Sequence, residues 1–506
     1  MKIQLVLLFF ILNTHVYIFS QGTFNTRLDV SEAFGTIATN VEVSDSCYFI
    51  CGIMVDSSQV LRSFFGKLDL NGNPINFKQI TNDSIDFELW DETLNRSGNS
   101  FYVAGRGNGI NGRQTCFIKL SAQGEVEFHK WIPKATYSFS YPSPRAMTPF
   151  QGGWLLVEQF RNLDRNRLEA RVLHLDIDGN ILWETKYADS FFSFRPRSIK
   201  IDSSGFLIGG GKGNLDYVLQ NQHDQTVILK FGMDGQLKWK FESQPGWSSA
   251  ESIELSNDGG QIIGARKGIP LYVNSSVDLF QIQHLIIKLD KNHNVEWSRL
   301  MRNSYLHEFN NLEKVIDTKG GIVYCGHLND ETVGFLGVLG KVSHSGDSLW
   351  MRSFMFETDS VYCYGHMLND LEMTSDGGFV FTGQTQDGTP PKYQYGWAVK
   401  VDSFGCLIPG CQISSTEEPD SKFEVDLSIY PNPTSNFLNF LIREQAGKNL
   451  IYRITNLEGK VMYRNETIKS DITYVVPVSY WPNGTYQLQI FENNFLLGAK
   501  SFIVEK

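Results

Sequence analysis

The chain has 506 residues and a formal net charge of −10, with 42% hydrophobic and 13% aromatic residues. The acidic balance argues against a nucleic-acid groove or a polybasic membrane patch. The length is too great for one small core, so one large and one small domain are expected. Seven cysteines are too few for a disulfide-held scaffold, and their odd number leaves at least one outside any intramolecular pairing.

Lys2 precedes an apolar run from Leu5 to Leu12 that Asn13-Thr14-His15 interrupts, and Ser20-Gln21 offers a cleavage point after a small residue. Residues 1–20 therefore have the pattern of a signal peptide. A spanning helix needs about 20 mostly apolar residues, and no later segment is long and apolar enough. The mature protein is expected to carry no transmembrane segment after signal cleavage.

Between this leader and a polar stretch near residue 414, one pattern recurs. It comprises a Gly turn, an apolar strand ending in Gly, a variable loop, a second strand ending near Lys-Leu-Asp, a tight turn with Gly, and often a Trp. The second-strand marker falls at Lys67, Lys119, His174, Lys230, Lys288, Lys341 and Lys400, so successive copies lie 52 to 59 residues apart. A period of about 50 residues with four short strands per copy predicts a β-propeller, here of seven blades over residues 22–411. Trp131, Trp183, Trp239, Trp297 and Trp350 follow the tight turn and are expected to fill the space between blades. The last copy ends at Cys411 without a fourth strand, and Phe24 to Val30 is expected to supply it, removing an exposed edge.

The hairpins before the Trp and the Gly-Gly turns are short, whereas the loops between the second and third strands are long and variable. Binding usually resides on long loops carried by a rigid scaffold. By alignment, the inner-strand residues ringing the channel mouth on that face are Glu92, Arg145, Arg197, Glu251, Asn310 and Asn369. Acids, amides and arginines in such a ring suit a polar ligand such as an extracellular glycan or a protein. A solvated rim without a ligand is an equal alternative.

Several strings are weaker than they look. Gly346-Asp347-Ser348-Leu349 and Asp290-Lys291-Asn292-His293 spell the blocks of GDSL-type hydrolases, but in the wrong order and at hairpin positions. Asp176-Ile177-Asp178-Gly179-Asn180 begins like a calcium loop yet lacks the closing Glu. Cys325 with His327 and Cys363 with His366 could supply four zinc ligands, but their spacing is not a zinc pattern, and a Cys325–Cys363 disulfide or two buried thiols is preferred. No metal, no cofactor and no catalytic residue is assigned. Cys406 and Cys411 could close a short loop at the end of the repeats, whereas Cys47 and Cys51 lie too far apart along a strand to bridge. The Ala-x-Asp-x-x-Thr-Gly pattern of quinoprotein propellers and the Ser-x-Asp-x-Gly-x-Thr-Trp box of sialidase-like propellers are both absent.

Residues 412–424 form a polar linker. Beyond it stand Ile429-Tyr430-Pro431-Asn432-Pro433-Thr434-Ser435-Asn436, Asn456-Leu457-Glu458-Gly459-Lys460-Val461, Trp481-Pro482-Asn483-Gly484-Thr485-Tyr486 and the apolar end Lys500 to Lys506. Short alternating runs separated by Asn, Gly and Pro turns describe a small β-sandwich, expected to be Ig-like. In these blocks, residues 425–506 resemble the type A C-terminal sorting domain of the type IX secretion system of Bacteroidota. The resemblance implies the type IX machinery as partner, passage through the periplasm, and release or display at the outer-membrane surface. It makes Tyr430, Pro431, Asn432, Pro433, Gly459, Lys460, Gly484 and Tyr486 the sorting-signal residues. The function expected is an exported binding or interaction module. The alternative is a hydrolase or lyase acting on extracellular polymer at the channel mouth, with Glu251 as acid beside Arg145 and Arg197.

Overall fold

The computed structural model describes residues 22–31, 33–82, 85–86, 90–109, 112–133, 140–215, 224–246, 248–273, 276–301, 311–330, 334–356, 365–386, 394–409, 411, 426–443, 450–456, 461–468, 472–492 and 495–506. The expected leader and linker lie outside these residues. Two compact units separate, Met1–Gln412 and Ile413–Lys506. Both are built of β-strands. Among the described residues no helix is long and apolar enough to cross a membrane.

The first unit is a succession of four-stranded antiparallel arrays in chain order; four stand as separate sheets, and the first and the last two join into one twelve-stranded sheet through the parallel pairs Gly35–Gln394 and Phe335–Gly365. Sheet 1 comprises Gly35–Val43, Cys47–Val55, Leu61–Asp69 and Pro74–Gln79. Sheet 2 comprises Trp90–Ser97, Ser100–Gly109, Gly112–Ser121 and Val126–Trp131, and sheet 3 Ser140–Phe150, Gly153–Asn162, Arg167–Leu175 and Ile181–Tyr187. Sheet 4 comprises Ser193–Asp202, Gly205–Gly213, Gln225–Gly232 and Leu237–Glu242, and sheet 5 Ser248–Leu255, Gln261–Val273, Ser276–Leu289 and Val295–Met301. Sheet 6 comprises Asn311–Thr318, Gly321–Asp330, Gly334–Val342 and Ser348–Phe354. Sheet 7 takes Gly365–Met373, Phe379–Gln386 and Gln394–Val401 from one stretch of chain and Phe24–Leu28 from the other end. The first strand of each sheet packs on the first strand of the next, and that of sheet 7 on that of sheet 1.

The repeated residues have local physical causes. In the tight turn of sheet 1, Asp69 N–H donates to Asn73 O (2.9 Å) and Gly72 N–H to Asp69 O (3.1 Å), while Asp69 Oδ1 accepts from the amides of Asn71 and Asn73. This is a three-residue hairpin loop whose last residue is left-handed, hence Gly72 at φ 82°. Asp176, Asp290 and Asp402 cap their turns in the same way. In sheets 4, 5 and 7 the marker lysine meets an aspartate at the same sheet's other tight turn, whereas Lys119 pairs with Glu127 of its own outer strand. Lys288 Nζ lies 2.8 Å from Asp258 and Lys400 Nζ 2.9 Å from Asp376, with the two lysine side chains 0% and 1% exposed. Lys230 pairs with Asp202. An ammonium buried this deeply requires such a partner.

The outer strands bind neighbouring sheets together. Trp350 of sheet 6 lies across Gly405 in the turn of sheet 7, where an added Cβ would come 2.7 Å from the indole. Trp183 and Trp297 cover Gly235 and Gly346 likewise, and Trp239 stacks on His293 with ring centroids 4.4 Å apart. Trp131 differs. It pairs with Cys116 and covers Gly107 of its own sheet, while Phe128 holds the position opposite Lys119 that Trp holds elsewhere. Cys406 and Cys411 are joined by a disulfide with Cα atoms 5.6 Å apart. Cys47, Cys51, Cys116 and Cys325 are buried.

The second unit has one sheet of Asp426–Tyr430, Phe437–Arg443 and Thr473–Pro477 and another of Leu450–Asn456, Val461–Ile468, Gly484–Glu492 and Phe495–Val504. Its core includes Leu438, Phe440, Tyr452, Ile454, Leu488 and Phe502.

Candidate functional site

All seven first strands of the repeat unit contribute to one cavity of about 170 Å³. Each of these strands carries a register irregularity against its neighbour. It falls at Thr39, Arg197, Glu251, Glu313 and Asn369 in sheets 1, 4, 5, 6 and 7, and between Trp90 and Thr93 and between Pro142 and Met147 in sheets 2 and 3. An extra residue bends a strand and re-aims the side chains beyond it. After it the pattern is polar, aliphatic, then charged, as in Asn40-Val41-Glu42, Ser198-Ile199-Lys200, Ser252-Ile253-Glu254 and Asp370-Leu371-Glu372; apart from Leu371, these residues line the cavity.

The charges inside are paired across sheets. Lys314 Nζ lies 2.9 Å from Asp370 and 2.7 Å from Glu372, and Lys200 Nζ lies 2.7 Å from Glu254. Asp370 Oδ2 also accepts the Val41 amide (3.0 Å). Burial opposes the charge on Lys314, but Asp370 and Glu372 outweigh it and hold the ammonium above the ordinary lysine range. Glu42 faces the opposite balance. Burial first, then the neighbouring Glu372 and Asp370, push its carboxyl up to about 8, against a weaker pull from Lys314 and Arg96. Four carboxyls here face Lys200, Lys314 and Arg96, and burial makes Glu42 the carboxyl that favours its proton.

The six rim residues expected from sequence fall into two groups. Arg197, Glu251 and Asn369 occupy the irregular positions of their strands. Arg197 Nε lies 3.4 Å from Glu251, and Arg266 Nε lies 3.0 Å from the same carboxylate. All three side chains are nearly buried, so this is an ion-paired tie between sheets 4 and 5. Asn369 Nδ2 donates to Ala38 O (2.9 Å), tying sheet 7 to sheet 1. The backbone of Glu92 and Arg145 lies on the first strands of sheets 2 and 3, their side chains are outside the described residues, and Asn310 is outside them altogether. In sheet 6 the irregular residue is Glu313. The cavity residues Glu42, Lys200, Glu254, Lys314, Asp370 and Glu372 were missed by sequence reasoning. Their signal was the polar–aliphatic–charged triplet next to the aligned position.

The discounted strings have structural uses. His293 Nδ1 is 2.8 Å from Gln261 Oε1 beneath Trp239, and Asp290 caps its own turn. Cys325 and His327 are buried, the carbonyl of His327 accepts from His284 Nε2 (3.1 Å), and Cys363 lies outside the described residues. Burial lowers His284 to about 4 and His327 to about 3. Among the described residues no group of three or more His, Cys, Asp or Glu is placed to hold a metal.

In the second unit, the sorting-signal block ties the first strand's end to the last strand. Asn432 Oδ1 accepts the Ile503 amide (2.8 Å), Thr434 N–H donates to Ile503 O (2.8 Å), and Glu505 N–H donates to Thr434 O (2.9 Å). Tyr430–Pro431 and Asn432–Pro433 are cis. The Tyr486 hydroxyl donates to Pro482 O (2.8 Å), and Gly484 opens the strand at φ 158°. Gly459 and Lys460 lie outside the described residues. Residues 428–505 match the family described as the secretion system C-terminal sorting domain. The C-terminal unit is a type IX secretion sorting domain. The sorting domain directs the protein through the type IX machinery to the cell surface or the extracellular space.

No curated protein matches the chain. Among solved structures, it is similar to the subtype N10 neuraminidase-like protein of A/little yellow-shouldered bat/Guatemala/060/2010 (9% identity, TM-score 0.36, covering 63% of this chain and 95% of that one). It is similar also to Drosophila Semaphorin 1a extracellular domains 1-2 (8%, 0.40, 76% and 88%) and to Pyrococcus horikoshii acylaminoacyl peptidase (9%, 0.40, 82% and 58%). At these scores the likenesses carry no functional argument.

Proposed function

We propose that the exported protein is a binding module in which a seven-bladed β-propeller, residues 22–411, presents its long loops to an extracellular glycan or protein. A linker, 412–424, joins it to an Ig-like sorting sandwich, 425–506. The seven successive four-stranded sheets and the contacts of their first strands support the blade number. The observation that carries the binding reading is the size of the axial cavity, about 170 Å³. Small-molecule pockets begin near ~300 Å³, so recognition of a larger partner falls to the outer loop face rather than the axis. The cross-sheet ties of Arg197, Glu251, Arg266 and Asn369 support a rigid platform for those loops, and Glu92, Arg145 and Asn310 remain the rim residues that the sequence offers for a polar ligand.

A second reading, hydrolysis or elimination on an extracellular polymer, is favoured by one observation. Glu42, raised to about 8, stands near Asp370 and Glu372, and a carboxyl whose proton affinity is raised by burial is suited to act as an acid. A glycan and polysaccharide array probed with the purified protein, with product release followed by chromatography on each hit, separates the two. Saturable binding without turnover supports the module. Turnover that Glu42→Gln abolishes establishes the enzyme, and no binding to any array member or host-surface protein overturns the first reading.

A further inference from the structure

Sheets 1 to 6 each take their fourth strand from the residues after the tight turn, but sheet 7 does not. Its turn is nonetheless complete. Asp402 N–H donates to Cys406 O (3.1 Å) and Gly405 N–H to Asp402 O (3.0 Å), matching Ser343 with Asp347 and Gly346 with Ser343 in sheet 6. Position for position, Cys406 stands where Asp347 stands. Leu407, Ile408, Pro409, Gly410 and Cys411 then correspond to Ser348, Leu349, Trp350, Met351 and Arg352, the outer strand of sheet 6.

The corresponding edge of sheet 7 is held by the N-terminal strand. Phe24 pairs with Lys400 as Trp350 pairs with Lys341, and its ring covers Gly72 of sheet 1 as Trp350 covers Gly405. Trp397 Nε1 donates to Asn25 Oδ1 (2.6 Å), Asn25 Nδ2 donates to Met355 O (3.0 Å), and the Arg27 guanidinium lies 4.4 Å from the Phe356 ring centre and 4.7 Å from that of Tyr395. Two segments of one chain are thus candidates for a single sheet edge. Extended as a strand, residues 406 to 411 would separate their end Cα atoms by about 16 Å, whereas a disulfide requires less than about 7 Å. The observed separation is 5.6 Å. The bond and the strand exclude each other, and Pro409, which has no N–H to donate, weakens the strand further.

We propose that the Cys406–Cys411 disulfide is a strand selector, barring residues 407–411 from the outer edge of sheet 7 and reserving it for Phe24–Leu28. Hydrogen exchange of the purified protein tests this against a variant carrying Cys406→Ser, Cys411→Ser, Pro409→Trp and Gly410→Met, whose segment has outer-strand character. The amides of residues 26–28 are expected to exchange at least tenfold faster in the variant, with Val172 and Leu229 of sheets 3 and 4 unchanged. Faster exchange confined to residues 402–411 would mean a purely local clamp and would overturn the proposal. Where the variant is poorly folded, a truncation decides. Protein lacking residues 22–30 is expected to self-associate through its open edge, and the four substitutions are expected to return it to a monomer in sedimentation. Identical association with and without them overturns the proposal.

Discussion

In the repeat unit, ammonium groups sit inside the sheets, Lys288 against Asp258 and Lys400 against Asp376, whereas the core of the C-terminal unit is aliphatic and aromatic, from Leu438 and Phe440 to Tyr452 and Phe502. A buried ion pair adds little net stability over an apolar pair of equal volume, but any arrangement that separates its members is heavily penalised. The repeat unit consists of several similar sheets whose strands could pair wrongly, and Phe24–Leu28 shows that strands from opposite ends of this unit do meet. Residues that recur fix the scaffold, while those that differ between copies, such as Glu42, Lys200 and Lys314, give the shared cavity its individual chemistry.

The largest effect expected is on export. Deleting residues 425–506 in the native host is expected to abolish surface display while leaving the repeat unit folded in the periplasm, as fractionation and protease accessibility would register; undiminished display would contradict the division of labour. Next, Asp376→Ala leaves Lys400 buried with the Val401 carbonyl as its hydrogen-bond partner among the described residues and is expected to cost about 3–5 kcal/mol in urea unfolding of the repeat unit. Adding Lys400→Met is expected to recover most of that loss, and a failure to do so would show that the pair is more than a register device. Gly405→Ala meets both φ 74° and the Trp350 ring and is expected to cost about 1–3 kcal/mol, while Gly377→Ala, at φ 82° with open space around it, pays the backbone penalty alone.

The smallest effect is the pH dependence from Glu42. Its folded-state value of about 8 lies above the ordinary 4.5, so the folded state binds the proton more tightly than the unfolded chain. The stability this confers is complete below about pH 4.5 and is lost as pH rises toward 8. Because the residue is only half-buried, the slope integrates to about 1 kcal/mol after allowance for solvent screening. Unfolding midpoints at pH 5 and pH 9 are expected to converge in Glu42→Gln, and an unchanged difference would remove Glu42 from the account.

Much of the scaffold was legible because its causes are local. A left-handed turn position favours Gly, held by His293 in one copy, a capped hairpin needs Asp or Ser, and an edge left open after Cys411 needs a strand from elsewhere. The candidate site was only half legible. Arg197, Glu251 and Asn369 fall at the strand irregularities, but the extra residue that turns Glu42 and Lys200 toward the cavity leaves no mark in composition. In sheet 6 the variable loop before the strand displaced the reading to Asn310, where the irregular residue is Glu313.

By itself the sequence determined the repeat, its turns, the sorting domain and therefore the route of export, because each depends on residues within a few positions of one another. Which charges meet was decided only by the tertiary structure. Lys314 and Glu372 lie 58 residues apart, and neither their contact nor the proton held by Glu42 exists until strands from different sheets surround one cavity and exclude most of the water from it.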